Sequence, residues 1–184
     1  MKILALVAHG SEDSELVNTL SLLKRARIDS FLLSVEPTIY ITLSHSLKIV
    51  ADSTLEKETM KGLLDYDAIF LPGGKRGTDT FKSNEKVLEL IRSYNLRGKP
   101  VLAICAAPSV LAKAGIMEGV NFTCYDGFEE EIKMGIYHKE LGSVKDKNII
   151  TAKSAAYSFE FAFNIIRYLK RESEEERVKK SILL

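Results

Sequence analysis

The chain has only two cysteines, Cys105 and Cys124, in 184 residues. They show no C-x-x-C spacing, and two thiols make no disulfide framework, so a reducing, cytoplasmic setting is expected. Histidine is equally scarce. His9, His45 and His138 are scattered and share no ligand spacing, which argues against zinc, and no metal or other cofactor is expected. Charge of one sign is missing too: 26 basic residues face 25 acidic ones, for a net charge of +1. Without a strong field the chain has no electrostatic handle for nucleic acid or an anionic membrane. No run approaches the roughly 18 apolar residues of a membrane span. The apolar stretch in MKILALVAHGSED is too short for a signal peptide, and acids follow it at once. With no internal repeats and no low-complexity linkers, one domain over residues 1–184 is expected.

What is present is ordinary for a globular protein: 46% hydrophobic and 28% charged residues, enough to build a proper core. KILALVA (2–8) is a continuous apolar run, as a strand buried on both faces requires. SELVNTLSLLKRA then places Leu16, Leu20 and Leu23 at helical spacing, with acids first and Lys24 and Arg25 last, and Ser11 as candidate N-cap. DSFLLSVE reads as a second strand, and TIYITLS with SLKIVAD as a hairpin or edge extension. DAIFLPGG is another strand ending in glycine. The helix NEKVLELIRSYNLRG follows it, closed by Gly98. PVLAIC is the next strand, APSVLAKAG a short helix, NFTCY and NIITA short strands, and SFEFAFNIIRYLKR a long helix. A final helix at about 172–184 is expected to dock through Val178, Ile182 and Leu183. Strands alternating with helices predict an α/β fold, a mainly parallel sheet covered on both faces. In such sheets ligands bind beyond the carboxyl ends of the strands, so AHGSEDSE, LPGGKRG and ICAAP should converge.

Each of those loops carries a distinct chemistry. Cys105 ends a strand and opens a helix, so a sharp turn should hold its side chain out at the top of the sheet. The helix dipole would favour thiolate there and bring the pKa from about 8.5 to roughly 3.5–7.5. Ala106 and Ala107 are small enough for the turn, and Pro108 suits the first helical turn. The plain alternative is a buried structural cysteine. LPGG (71–74) would let backbone amides approach a ligand, although a glycine pair is more often a simple turn. It is no phosphate loop, since G-x-x-x-x-G-K-[ST] is absent. Glu12, Asp13 and Glu15 can be read as dipole compensation. One of them reaching Cys105 would have a raised pKa and could donate a proton, but spacing alone does not single it out.

Taken together, ALVAHGSEDSE, YDAIFLPGG, AICAAPSVLA and SFEFAFNII resemble the ThiJ/PfpI superfamily, most closely the branch of the parkinsonism-associated protein deglycase. That resemblance runs nearly end to end. It implies a flavodoxin-like three-layer α/β/α sandwich with a nucleophile elbow, related to class I glutamine amidotransferases and usually a homodimer. By the same resemblance Cys105 is the reactive, oxidation-prone cysteine and Glu15 the protonated partner of its sulfur. Gly74 and Ala106 are the backbone donors around a substrate oxygen, and Gly73 is a further substrate contact. Where family proteases carry a histidine after the nucleophile, this chain has Ala106, which disfavours attack on an amide. The branch's other histidine matches Tyr125, and two of its arginines match His45 and Lys153. Cys124, next to Tyr125, should face the other way. The activity implied is cysteine-dependent removal of reactive dicarbonyls, methylglyoxal to lactate, or of their adducts on glycated protein. A redox sensor or stress chaperone using the same cysteine is the alternative, and an intracellular peptidase or amidase a third.

Overall fold

A computed structural model describes residues 1–184. Its strands and helices run β1 (Lys2–Val7), α1 (Asp13–Arg25), β2 (Asp29–Ser34), β3 (Tyr40–Thr42), β4 (Lys48–Val50), β5 (Ser53–Thr54), α2 (Met60–Leu63), β6 (Ala68–Leu71), α3 (Lys75–Ser83) and α4 (Glu85–Leu96). There follow β7 (Val101–Ile104), α5 (Pro108–Lys113), β8 (Asn121–Phe122), β9 (Ile136–Tyr137), β10 (Ser143–Asp146), β11 (Ile149–Ala152), α6 (Ser158–Leu169) and α7 (Glu172–Ser181). Seven strands form one sheet in the order β10-β11-β7-β6-β1-β2-β5. Every pairing in it is parallel except β10 with β11. This is the α/β sandwich expected from the alternation of strand and helix.

The period-2 geometry of β1 explains the two layers. Ile3, Ala5 and Val7 face a core built with Phe161, Ile165 and Val178, while Leu4 and Leu6 face one built with Leu90, Ile91 and Tyr94. Each fully buried side chain of this size stabilises the fold by about 1.5–3 kcal/mol relative to exposure. Parallel register makes β1, β6, β7 and β11 end along one edge, which brings the loops after them together.

Several local expectations need correction. The N-cap of α1 is Glu12, whose side chain accepts from the Glu15 amide; Ser11 is buried one residue earlier and accepts from Ala8 N at 3.1 Å. Of NFTCY only Asn121–Phe122 is strand, and it pairs with β9 outside the main sheet. Helix α7 docks through Val178, which is fully buried, and Ile182, but Leu183 is 97% exposed. The helix has ended by then, and the positive φ of Leu183 turns it away from the core. Helix α3 escapes a hydrophobicity reading because KRGTDTFKS buries only Gly77, Thr78 and Phe81. The hairpin, by contrast, forms as expected from antiparallel β3 and β4.

Candidate active site

Cys105 sits immediately after β7 with φ of +66°, a conformation costly for a residue with a side chain. Its neighbours hold it there. The Cys105 amide donates to Ala152 O at 2.8 Å, and its carbonyl accepts from Tyr125 N at 2.9 Å. Both backbone groups of the strained residue are thus tied down, one to the end of β11 and one to the loop after β8, and Pro108 opens α5 directly behind it. The side chain remains partly exposed.

Glu15 approaches from α1. It lies one helical turn before Thr19 and two before Leu22, on the stripe that the helix buries, and is itself fully buried. That stripe is the signal by which periodicity could have separated it from Glu12 and Asp13. Its Oε2 accepts from Gly73 N at 2.8 Å. Oε1 is buried without a hydrogen bond of good geometry, and the side chain that interacts with the carboxyl is the Cys105 thiol. Gly73 is wedged between the two: a Cβ there would lie 2.6 Å from Cys105 Cβ and 2.6 Å from Glu15 Oε2. Gly74 has φ of +87°, and a Cβ on it would lie 2.2 Å from Gly10 O. Both positions require glycine for close approach, so LPGG is more than a turn. The loops after β1, β6 and β7 do meet.

Electrostatics partly overturn the expected thiolate. Burial pushes the Glu15 carboxyl up to about 7; the Cys105 hydrogen bond opposes this, the Glu12 charge adds to it, and the Gly73 amide opposes it. Burial also pushes the Cys105 thiol up, reinforced by the charge and hydrogen bonding of Glu15. The amides of Ala106 and Gly74 act in the opposite direction, favouring the ionised sulfur. The dipole of a short helix therefore does not ionise Cys105 by itself. Two acids in contact compete for protons, and a thiolate is favourable only while Glu15 is neutral.

The remaining predicted residues divide into near and far. The Tyr125 backbone contacts the elbow, while its side chain is exposed. Gly73 N is occupied by Glu15 and is not free for a substrate. Lys153 Nζ is spent on the Lys139 carbonyl at 3.0 Å and on Asp126 at 3.5 Å. His45 lies at the hairpin turn against Asp13 (3.3 Å) and Glu12 (3.6 Å). Glu12, Asp13 and His45 are the one convergence of potential metal ligands. Asp13 Oδ2 already accepts from Ser44 Oγ and His45 N, and Glu12 Oε2 from Glu15 N, so these carboxylates cap backbone instead. His9 Nδ1 accepts from Thr42 N, and His138 Nε2 pairs with Asn121. Cys124 is fully buried in the core opposite the one that Cys105 touches, and burial pushes its thiol up to about 12.

The DJ-1/PfpI family model matches residues 1–168. The chain belongs to the DJ-1/PfpI family. It is 31% identical to Protein DJ-1alpha of Drosophila melanogaster over 181 residues, which is 98% of this chain and 82% of that one. It is 30% identical to Deglycase PfpI of Pyrococcus furiosus over 171 residues, covering 92% of this chain and all of the relative. The crystal structure of Drosophila melanogaster DJ-1beta superposes with a TM-score of 0.93 at 29% identity, covering 100% of this chain and 97% of that one. DJ-1/PfpI membership thus agrees with the fold and with the resemblance seen in the sequence. No helix of the chain is long and apolar enough to cross a membrane.

Proposed function

We propose that the protein converts small reactive dicarbonyls, of which methylglyoxal is the test case, into hydroxy acids by a cysteine-dependent route without cofactor. The sharing of protons between Glu15 and Cys105, with no histidine following the nucleophile, carries this reading. Neutral Glu15 beside a Cys105 thiolate is the reactive arrangement. Sulfur adds to the aldehyde carbon, the carbonyl electron pair moves to oxygen, and Glu15 delivers its proton there to give a hemithioacetal. The amides of Ala106 and Gly74, which favour the ionised sulfur in the free site, lie beside the oxyanion as it forms. The Glu15 carboxylate then takes the proton from the former aldehyde carbon and returns it to the neighbouring carbonyl carbon, while the hemithioacetal hydroxyl proton passes to the former ketone oxygen, leaving a thioester. One carbon is oxidised and the other reduced, so no external oxidant is required. Water cleaves the resulting thioester, releases lactate and restores the thiol pair.

Aldehyde chemistry fits this site better than amide hydrolysis. An aldehyde is electrophilic enough to accept a thiolate without a neighbouring base, whereas expulsion of an amine needs a strong general acid at the leaving nitrogen. The relationship to proteins named deglycases agrees with that choice. Incubation with methylglyoxal should yield lactate, and Cys105→Ala should reduce the rate by at least about 100-fold. An unchanged rate in Cys105→Ala would overturn the mechanism.

A further inference from the structure

We infer that Glu12 is a positioning residue whose charge sets the proton affinity of Glu15, and through it the ionisation of Cys105. The inference rests on the reading of the Glu15–Cys105 pair above. Glu12 is the hinge between the two loops that frame that pair. Its amide donates to Gly73 O at 3.0 Å, fixing the strand-end glycine whose own amide holds Glu15 Oε2. Its carboxylate accepts from Glu15 N at 2.6 Å, so it caps α1 on the residue it influences. A serine or asparagine cap would satisfy that amide equally well. Only an acid places a negative charge beside a carboxyl that is already buried, where it disfavours ionisation of Glu15.

The ionisable groups around Glu12 define how that charge is read. Asp13 and Glu15 share its helix, His45 reaches it from the hairpin at 3.6 Å, and Cys105 lies beyond Glu15. The loop before α3 contributes Gly73 and Gly74, which carry no charge. Since Glu12 acts on Glu15 directly and on Cys105 through it, its charge penalises the carboxylate–thiol form more than the carboxyl–thiolate form. Removing the charge should therefore have two effects. The pair's first proton leaves at lower pH, and less of the remaining proton resides on Glu15.

Glu12→Gln keeps a capping oxygen and removes the charge. In iodoacetamide alkylation of Cys105 against pH, with mass-spectrometric readout, its midpoint should fall by roughly half a unit below the wild type's. The rate above the midpoint should fall as well. Glu12→Asp keeps the charge and should restore the midpoint, even if a shorter cap lowers thermal stability. A Glu12→Gln midpoint equal to or above the wild type's overturns this role while leaving the Glu15–Cys105 reading intact. A wild-type profile with no limb near neutrality overturns both, which separates the two failures. A lost cap alone would lower stability in both variants without moving the midpoint downward in one of them.

Discussion

Two glutamates are almost completely removed from solvent in this protein, and they meet opposite fates. Glu15 is fully buried and Glu175 is 1% exposed. Glu175, on α7, is met by the Arg167 guanidinium through Nε and by Arg167 Nη2 at 2.8 Å, and by Lys179 at 2.7 Å. Burial pushes its carboxyl up, but these cationic partners outweigh burial and hold it below the usual range. Glu15 has no cation. It has one amide, a thiol and a second carboxylate, and its affinity for protons rises to about 7. Burial alone therefore does not decide what an acid does; the charges brought to it do. At α7 the acid clamps a helix to α6, and in the site it is left able to hold and release a proton.

The comparison can be broken from either side. The larger effect is expected at Glu15. A group whose folded pKa is raised contributes stability that is fully present below its unfolded value and is lost as pH rises through the folded value. For Glu15 that window runs from about 4.5 to about 7. Relative to Glu15→Gln, which does not titrate, the wild type should lose on the order of 3 kcal/mol of unfolding free energy between pH 4.5 and 8. Urea melts of both proteins across that range measure it, and a constant difference would show that Glu15 is not protonated in the fold. A smaller effect is expected at the clamp. Arg167→Met leaves Glu175 with Lys179 alone and should cost about 2 kcal/mol at pH 7, reduced from the usual cost of a broken buried pair because Arg167 is itself half exposed. Turnover of methylglyoxal by folded Arg167→Met should match the wild type, and a shift in its pH profile would mean that the two acids are not independent.

The same contrast explains what could be read from the chain beforehand. Apolar runs such as KILALVA and the ICAAP corner predict the sheet and the elbow because hydrophobic period and turn chemistry are local. Helix α3 is not legible: of its three buried residues Gly77 and Thr78 carry no apolar signal, Phe81 alone makes no period, and Gly77 is small because Ser11 packs against it. Leu183 is apolar but lies past the end of α7 and is exposed, because hydrophobicity does not reveal where a helix stops. By residue type Ser11 is the better N-cap, and Glu12 takes the role because the Ser11 hydroxyl is buried and accepts from Ala8 N instead. Most instructive is Cys105. Its position was legible from the strand-to-helix corner, but its ionisation was not, because that depends on a carboxylate 90 residues away in sequence, Glu15.

The central claim is that Glu15 and Cys105 titrate as one unit with a shared proton. Alkylation of Cys105 against pH in the wild type and in Glu15→Gln tests it most directly. We expect the wild-type midpoint to be displaced to higher pH in the glutamine variant, where the first proton has to leave sulfur without a carboxyl to replace it. A glutamine variant that reacts faster at neutral pH, with its midpoint at or below the wild type's, would show that Glu15 merely repels the thiolate, and would contradict the account.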